Sequence, residues 1–160
     1  MKKHSGFTLI ELMMATVVFA IILTAAIPAF RSMMERESVP QVAKILEKAI
    51  QAARVQARSR STTVILRPTN TLWNAGFEVI WVDASSNSHL LRQYPAVPNV
   101  ATITSSDFSR ANPLTFNPDG QAARTGSFSL TPSDEDSTSS CQYTLNVLIS
   151  GMVQKRFSGC

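Results

Sequence analysis

The stretch Gly6-Phe7-Thr8-Leu9-Ile10-Glu11 decides the fold of this chain, because it places one acidic residue at the start of a long apolar segment. Residues 12–30 carry no charge and are numerous enough to cross a bilayer as a helix. Inserting a carboxylate just inside such a segment costs roughly 2.5–3.5 kcal/mol of free energy on insertion scales. We therefore expect Glu11 to have a cationic partner or a functional role. A short basic leader, residues 1–6, precedes the segment.

These N-terminal residues closely resemble the leader of type IV prepilins. In that family, a leader peptidase cuts after the glycine and methylates the new N-terminal phenylalanine. The resemblance therefore implies cleavage after Gly6, methylation of Phe7 and a prepilin peptidase as one partner. Glu11 stands where the family has its glutamate, and Pro28 stands where pilins commonly carry a proline.

Two other interpretations of the N-terminus remain open. A secretory signal peptide also combines a basic start with an apolar core, but that core is usually about 7–15 residues long and lacks an early glutamate. A plain membrane anchor explains Lys2 and Lys3 through the positive-inside rule. It does not explain Glu11 or the Gly6-Phe7 pair.

The resemblance divides the chain into three parts. Residues 1–6 are the leader, residues 7–30 are a transmembrane helix that later lies in the filament core, and residues 31–160 are a periplasmic domain. We expect a single-pass protein of the inner membrane that then enters a pilus or pseudopilus with other major and minor pilin subunits. In the bundle of helices, Glu11 is expected to pair with the free amine of Phe7 on a neighbour offset by about one turn. A contact with its own N-terminus is the alternative.

The apolar period stays helical beyond the membrane segment. Apolar residues recur at spacings of three and four: Val42, Ile45, Leu46, Ala49, Ile50, Ala53 and Ala57. This pattern predicts an amphipathic helix over residues 31–61 that continues the membrane helix and packs on a sheet. Pro28 has no N–H to donate to the preceding turn, so we expect a helix kink there.

From residue 62 onward the pattern changes to short strands separated by turn residues. The eight predicted strands cover residues 62–67, 77–82, 90–94, 100–104, 114–116, 128–131, 143–149 and 152–157. The order of elements predicts an α+β protein. It matches the type IV pilin-like fold, in which a long kinked N-terminal helix packs on a C-terminal antiparallel β-sheet domain, here residues 62–160.

The segment from Leu114 to Gly120 carries a second resemblance. It reads Leu-Thr-Phe-Asn-Pro-Asp-Gly and is similar to the F-x-P-x-G turn of the FimT/GspH family of minor pilins and pseudopilins. The chain is therefore expected to be a minor type IV pilin, a structural subunit at the tip or in the initiating complex of the pilus. The alternatives are a GspH-like pseudopilin of type II secretion and a DNA-binding minor pilin for natural transformation.

The apolar pattern of the last two strands predicts the register in which they pair. A two-residue turn at residues 150–151 places the apolar residues of the two strands on opposite faces of the sheet. A three-residue loop with Gly151 in the left-handed conformation instead pairs Val147 with Val153 and Tyr143 with Phe157. This second register keeps all four apolar side chains on one face.

Basic residues form a second candidate site, for DNA. Arg54, Arg58 and Arg60 lie near the predicted helix end, and Lys155 and Arg156 lie on the last strand. Some FimT-like proteins bind DNA through a C-terminal G-R-x-R motif, but the corresponding residues 151–154 read Gly-Met-Val-Gln. No aromatic platform accompanies the last-strand pair. DNA is therefore the less favoured partner, and a solvated basic strand is the preferred interpretation.

Motifs for catalysis are missing. The chain has no H-E-x-x-H, no G-x-S-x-G and no phosphate-cradling glycine loop, so neither enzyme activity nor a cofactor is expected. Once the leader is removed, His89 is the one histidine left. The acidic residues 134–136 lack the spaced oxygen ligands and the glycine of a calcium loop, so no metal site is expected.

We expect Cys141 and Cys160 to form a disulfide, because the leader exports the domain to an oxidising compartment. Two free buried thiols are the alternative. Replacing both cysteines with Ser should lower the free energy of unfolding by an amount of order 2–5 kcal/mol, since the bond closes a loop in the unfolded chain. Non-reducing peptide mapping tests the bond directly, and two freely alkylated thiols in the native protein would contradict it.

Overall fold

The computed structural model describes residues 8–97, 101–133 and 142–158, without the side chains at 25 and 27–37. Helix α1 covers Leu9–Arg60. Eight strands follow: β1 Val64–Pro68, β2 Phe77–Val82, β3 Ser88–Tyr94, β4 Ala101–Thr104, β5 Leu114–Phe116, β6 Gly126–Pro132, β7 Gln142–Val147 and β8 Val153–Ser158. The predicted long helix and all eight predicted strands are confirmed within a few residues at their ends.

The chain forms two compact units, Met1–Met34 and Glu35–Cys160. Pro28 falls inside α1, but its side chain lies outside the described part, so the kink stays a prediction. Among the described residues, no helix combines the length and the mean hydropathy of a membrane span.

The second unit holds the core, and one stripe of α1 forms its centre. Eight residues on this stripe are at most 4% exposed: Val39, Val42, Ala43, Leu46, Ala49, Ile50, Ala53 and Ala57. Their spacing of three and four residues puts them on one face of the helix, as the sequence predicts. The prediction that Ile45 belongs to the same stripe is wrong, because this residue is 44% exposed and the buried face is narrower on that side.

The strands form two antiparallel sheets rather than one. The first has the order β3-β2-β1-β5 and the second the order β4-β6-β7-β8. Alternation of apolar residues predicts which face of a strand is buried, but it does not identify the neighbouring strand. Buried residues of both sheets, such as Leu66 and Leu145, belong to the same hydrophobic cluster as the α1 stripe.

A short 3-10 helix, Trp73–Ala75, joins the two sheets and was not predicted. The Trp73 indole packs edge-on against Phe128 at 4.8 Å between ring centroids, and its Nε1 donates to the Phe108 carbonyl at 3.0 Å. Asn74 accepts a hydrogen bond from the backbone N–H of Ile103 at 2.6 Å. These contacts tie the loop after β1 to strand β4 of the other sheet.

The C-terminal hairpin has the register that the apolar pattern predicts. Val147 pairs with Val153 and Tyr143 with Phe157. The loop closes through a hydrogen bond from the Gly151 N–H to the Leu148 carbonyl at 2.8 Å, and Gly151 has a φ of 74°. The three-residue loop is therefore confirmed.

Ser61 ends α1 in a left-handed conformation, with a φ of 49°. Its N–H bonds the Arg58 carbonyl at 3.4 Å, and the Thr62 N–H bonds the Ala57 carbonyl at 3.2 Å. This pair of bonds is the Schellman motif, in which glycine usually fills the left-handed position. A serine there carries a steric cost that glycine does not.

Replacing Ser61 with Gly should raise the free energy of unfolding by about 1 kcal/mol, because the strain at this position disappears. The matched control is Ser59→Gly in the last helical turn, which should lower it by roughly 0.3–0.5 kcal/mol through helix propensity. Urea unfolding of the two variants in detergent measures both changes. Equal effects of the two substitutions would contradict the assignment of the cap.

Candidate functional site

The start of α1 is fixed by Thr8 and Glu11. The Thr8 Oγ1 accepts a hydrogen bond from the Glu11 N–H at 3.3 Å, which makes Thr8 the N-cap of the helix. The spacing Thr-x-x-Glu is that of a capping box, so the sequence itself carries the signal for this cap. Glu11 is exposed and has no ion-pair partner among the described residues.

Beyond Glu11, the first turns of α1 are apolar on all sides. Eleven large apolar side chains between residues 9 and 23 are 44–77% exposed: Leu9, Ile10, Leu12, Met13, Met14, Val17, Val18, Phe19, Ile21, Ile22 and Leu23. The hydroxyls of Thr16 and Thr24 donate to backbone carbonyls one turn earlier, at 2.9 and 2.7 Å. No polar face is therefore left, which is the pattern of a helix that is buried by lipid or by other helices.

The structure does not describe four of the predicted site residues. Gly6, Phe7, Cys141 and Cys160 lie outside the described residues, so the structure tests neither the processing site nor the disulfide.

The F-x-P-x-G segment forms a tight turn against α1. Phe116 is fully buried, and the Gly120 N–H bonds the Asn117 carbonyl at 2.8 Å. Gly120 has a φ of 79°, and a Cβ there would come within 2.5 Å of the Arg58 Cγ and Cδ atoms. The glycine thus lets the Arg58 side chain lie across the turn.

Gly151 has a similar structural role at the second turn. A Cβ on Gly151 would lie 2.4 Å from the Gly120 carbonyl oxygen and 2.9 Å from the Arg54 Nε. The Ala122 N–H bonds the Ile149 carbonyl at 2.9 Å, which links the two turns directly. We call this contact between residues 117–122 and 148–152 the glycine junction. This close packing accounts for a glycine at position 151, so no contact with a nucleic acid is needed to explain it.

Three of the five basic residues considered for DNA are engaged in contacts within the domain. Arg54 donates to the Gly120 carbonyl at 3.3 Å and so holds the glycine junction. Arg60 donates to the Gln56 side chain at 3.0 Å and lies 5.7 Å from the centre of the Trp81 ring. On the last strand, Lys155 pairs with Glu47 at 3.1 Å, whereas Arg156 is exposed.

The Lys155–Glu47 pair neutralises one of the two charges on β8. The pair borders a groove of about 290 Å³ whose other lining residues are Pro40, Ala43, Lys44, Tyr143 and Phe157. Arg156 is then the one exposed cation on that strand among the described residues that has no acidic partner within 4 Å. The interpretation of this strand as a solvated basic surface stays a prediction.

His89 has a structural role in the hairpin of β2 and β3. Its ring stacks on Trp81 at 4.5 Å, and its Nε2 lies 3.1 Å from the Asp83 Oδ2. The hydrogen bond from His89 and the backbone N–H of Asn87 lower the pKa of Asp83 to about 2. Within the described residues, no group of three or more His, Cys, Asp or Glu side chains is placed to hold a metal ion.

Comparisons with known proteins cover most of the chain. Residues 43–151 match the family described as Type II transport protein GspH, and residues 1–27 match the prokaryotic N-terminal methylation motif. None of the curated proteins matches the chain significantly.

Solved structures of other proteins share the fold, among them those of a minor pilin and a minor pseudopilin. The type IV minor pilin FimU of Pseudomonas aeruginosa is 19% identical, with a TM-score of 0.63 over 78% of this chain and 92% of FimU. The minor pseudopilin EpsH of the type 2 secretion system of Vibrio cholerae is 9% identical, with a TM-score of 0.59 over 76% of this chain and 97% of EpsH. The chain therefore belongs to the GspH family and is a minor pilin or pseudopilin with the type IV pilin-like fold.

Proposed function

We propose that the chain is a filament subunit that assembles through the N-terminal part of α1. The observation that carries this proposal is the exposed apolar surface of residues 9–23, which has no covering element among the described residues of its own unit. In this proposal, residues 7–30 first anchor the precursor in the inner membrane as a single pass, with the sheet domain in the periplasm. Prepilin peptidase then cleaves after Gly6 and methylates Phe7, and the same helix enters the filament core. No catalytic turnover is part of this role.

Glu11 sets the docking of subunits in this mechanism. Its carboxylate lies exposed among apolar side chains and has no cation nearby in the described part of the chain. Cleavage creates a free amine on Phe7, and the amine of a neighbouring subunit can neutralise the carboxylate in an apolar bundle. An ion pair in such surroundings is costly to break, so it favours one axial offset between helices over others.

The pilus is the assembly we propose first, with the chain as a minor type IV pilin at the tip or in the initiating complex. The type II secretion pseudopilus is the second candidate, because the matching family is described as a type II transport protein. Uptake of DNA receives less support, since Gly151 and Lys155 are engaged in contacts within the domain.

Replacing Glu11 with Gln should reduce incorporation into filaments at least tenfold, because the variant keeps a capping side chain but loses the charge. The matched control is Thr8→Ala, which keeps the charge and removes the cap at a cost of about 1 kcal/mol. We expect this control to assemble close to wild type. The measurement is the amount of the chain in the sheared filament fraction relative to the membrane fraction.

Intact mass of each variant, extracted from membranes, separates assembly from processing. Both variants should show a chain that begins at methylated Phe7. Normal processing together with wild-type incorporation of Glu11→Gln would show that the carboxylate does not direct docking.

A further inference from the structure

A groove of about 270 Å³ lies between the end of α1 and strand β3, at the edge of the first sheet. It is lined by Ala52, Gln56, Arg60, Val79, Leu91 and Arg92. Ala52 and Leu91 form apolar walls, whereas Val79 is apolar but only 1% exposed. Arg60 and Arg92 bring guanidinium groups, and none of the lining residues is acidic. The groove therefore combines two fixed positive charges with apolar surface.

An irregularity in β3 builds one side of this groove. Adjacent residues of a regular strand point to opposite faces of the sheet. Between Val79 and Ile80 of β2 the pairing with β3 shifts, so that Val79 lies opposite Arg92 and Ile80 opposite Leu90. The extra residue, Leu91, and its neighbour Arg92 consequently both line the groove. Bulges commonly redirect a side chain towards a functional surface in this way.

Both guanidinium groups are held in place by aromatic rings. The Arg92 guanidinium lies 5.2 Å from the centre of the Tyr94 ring, and that of Arg60 lies 5.7 Å from the centre of the Trp81 ring. Gln56 accepts a hydrogen bond from the Arg60 Nε at 3.0 Å. Stacking of this kind leaves most N–H groups of a guanidinium free to bind an oxyanion.

Arg60 and Arg92 differ from four other arginines of the domain. Arg54, Arg67, Arg110 and Arg124 each donate to a backbone carbonyl or a carboxylate of the chain itself. Within the described part of the chain, Arg60 donates only to the side-chain amide of Gln56. Neither Arg60 nor Arg92 has a carboxylate within 4 Å among the described residues. The nearby acidic side chains are engaged elsewhere, since Glu78 pairs with Arg67 and Asp83 with His89.

We propose that this groove binds the carboxylate of a Glu or Asp residue that is flanked by apolar residues in an extended segment of another filament subunit. The guanidinium groups would donate charge-assisted hydrogen bonds to the carboxylate, which are stronger than bonds between neutral groups. The flanking apolar side chains would lie against Ala52 and Leu91. The inference rests on the proposed function only for the source of the segment.

A protein carboxylate suits the groove better than a nucleic-acid backbone does. Two guanidinium groups could neutralise about two phosphates, which supports only weak and strongly salt-dependent binding. The apolar walls have no counterpart in a phosphate backbone. The other basic residue near the end of the helix, Arg58, lies across the glycine junction and does not line this groove.

The probe is the peptide acetyl-Thr-Val-Glu-Val-Thr-amide, titrated into the full chain in detergent micelles. The readout is the indole N–H resonance of Trp81, whose ring is in contact with Arg60. Trp73, which is 4% exposed and bonded to the Phe108 carbonyl, is the internal reference for the fold. We expect a saturable shift of the Trp81 signal and no shift of the Trp73 signal. The same peptide with Gln in place of Glu should bind about tenfold more weakly, because a charged hydrogen bond is lost.

Arg60→Gln and Arg92→Gln should each weaken binding of the Glu peptide roughly tenfold, whereas Arg156→Gln, an exposed cation on β8, should leave it unchanged. An unshifted Trp81 signal, equal binding of the Glu and Gln peptides, or an equal loss in Arg156→Gln would overturn the proposal. Tighter binding of a ten-nucleotide oligothymidylate at the same site would identify a nucleic-acid groove instead. The titration uses no filament, so its outcome is independent of the assembly role proposed for Glu11. Either proposal can be contradicted while the other is supported.

Discussion

Ala49, Ala53 and Ala57 are fully buried on the face of α1 that forms the centre of the domain. Because an alanine ends at its Cβ, it leaves room for the large side chains of the sheets, such as Phe116 and Phe128, in the same core. Burial of this one helical face holds two separate four-stranded sheets in a single hydrophobic cluster. The glycine junction, the C-terminal hairpin and the groove beside β3 are all positioned by elements that pack on this face.

The same helix has a different surface near its N-terminus. In the domain, one face of α1 packs in the core with the sheets, and the exposed face is mostly polar, with Ile45 and Val55 as exposed apolar residues. Between residues 9 and 23, apolar side chains are exposed on every side, and the hydroxyls of Thr16 and Thr24 are bonded within the helix. Exposure of this much apolar surface to water is unfavourable by roughly 25 cal/mol for each Å², so an external apolar partner is required. A bilayer first, and the helices of other subunits later, satisfy this requirement in the assembly that we propose.

The sequence predicted the elements of the fold better than their arrangement. Periodicity located the helix, the eight strands and the register of the last hairpin, because each depends on residues that are close along the chain. The division into two sheets, the linking role of Trp73 and the pairing of Lys155 with Glu47 depend on contacts between distant residues, for which one sequence carries little signal. Gly151 illustrates both cases. The apolar pattern of the hairpin predicts its left-handed conformation, but nothing nearby in the sequence predicts its contact with Gly120 and Arg54. The capping role of Thr8 was readable from the Thr-x-x-Glu spacing.

Two valines on α1 provide the most direct test of the central claim that residues 9–23 are buried by lipid and then by other subunits. Val17 and Val55 are each 60% exposed in the isolated chain, so a charge at either position is equally tolerable there. Val17→Lys should cost roughly 2.5–3.5 kcal/mol in an apolar bundle, whereas Val55→Lys should stay within about 0.5 kcal/mol of wild type. The measurement is the fraction of the chain recovered in sheared filaments. The account predicts at least a tenfold loss for Val17→Lys and none for Val55→Lys, and equal recovery of the two variants would contradict it.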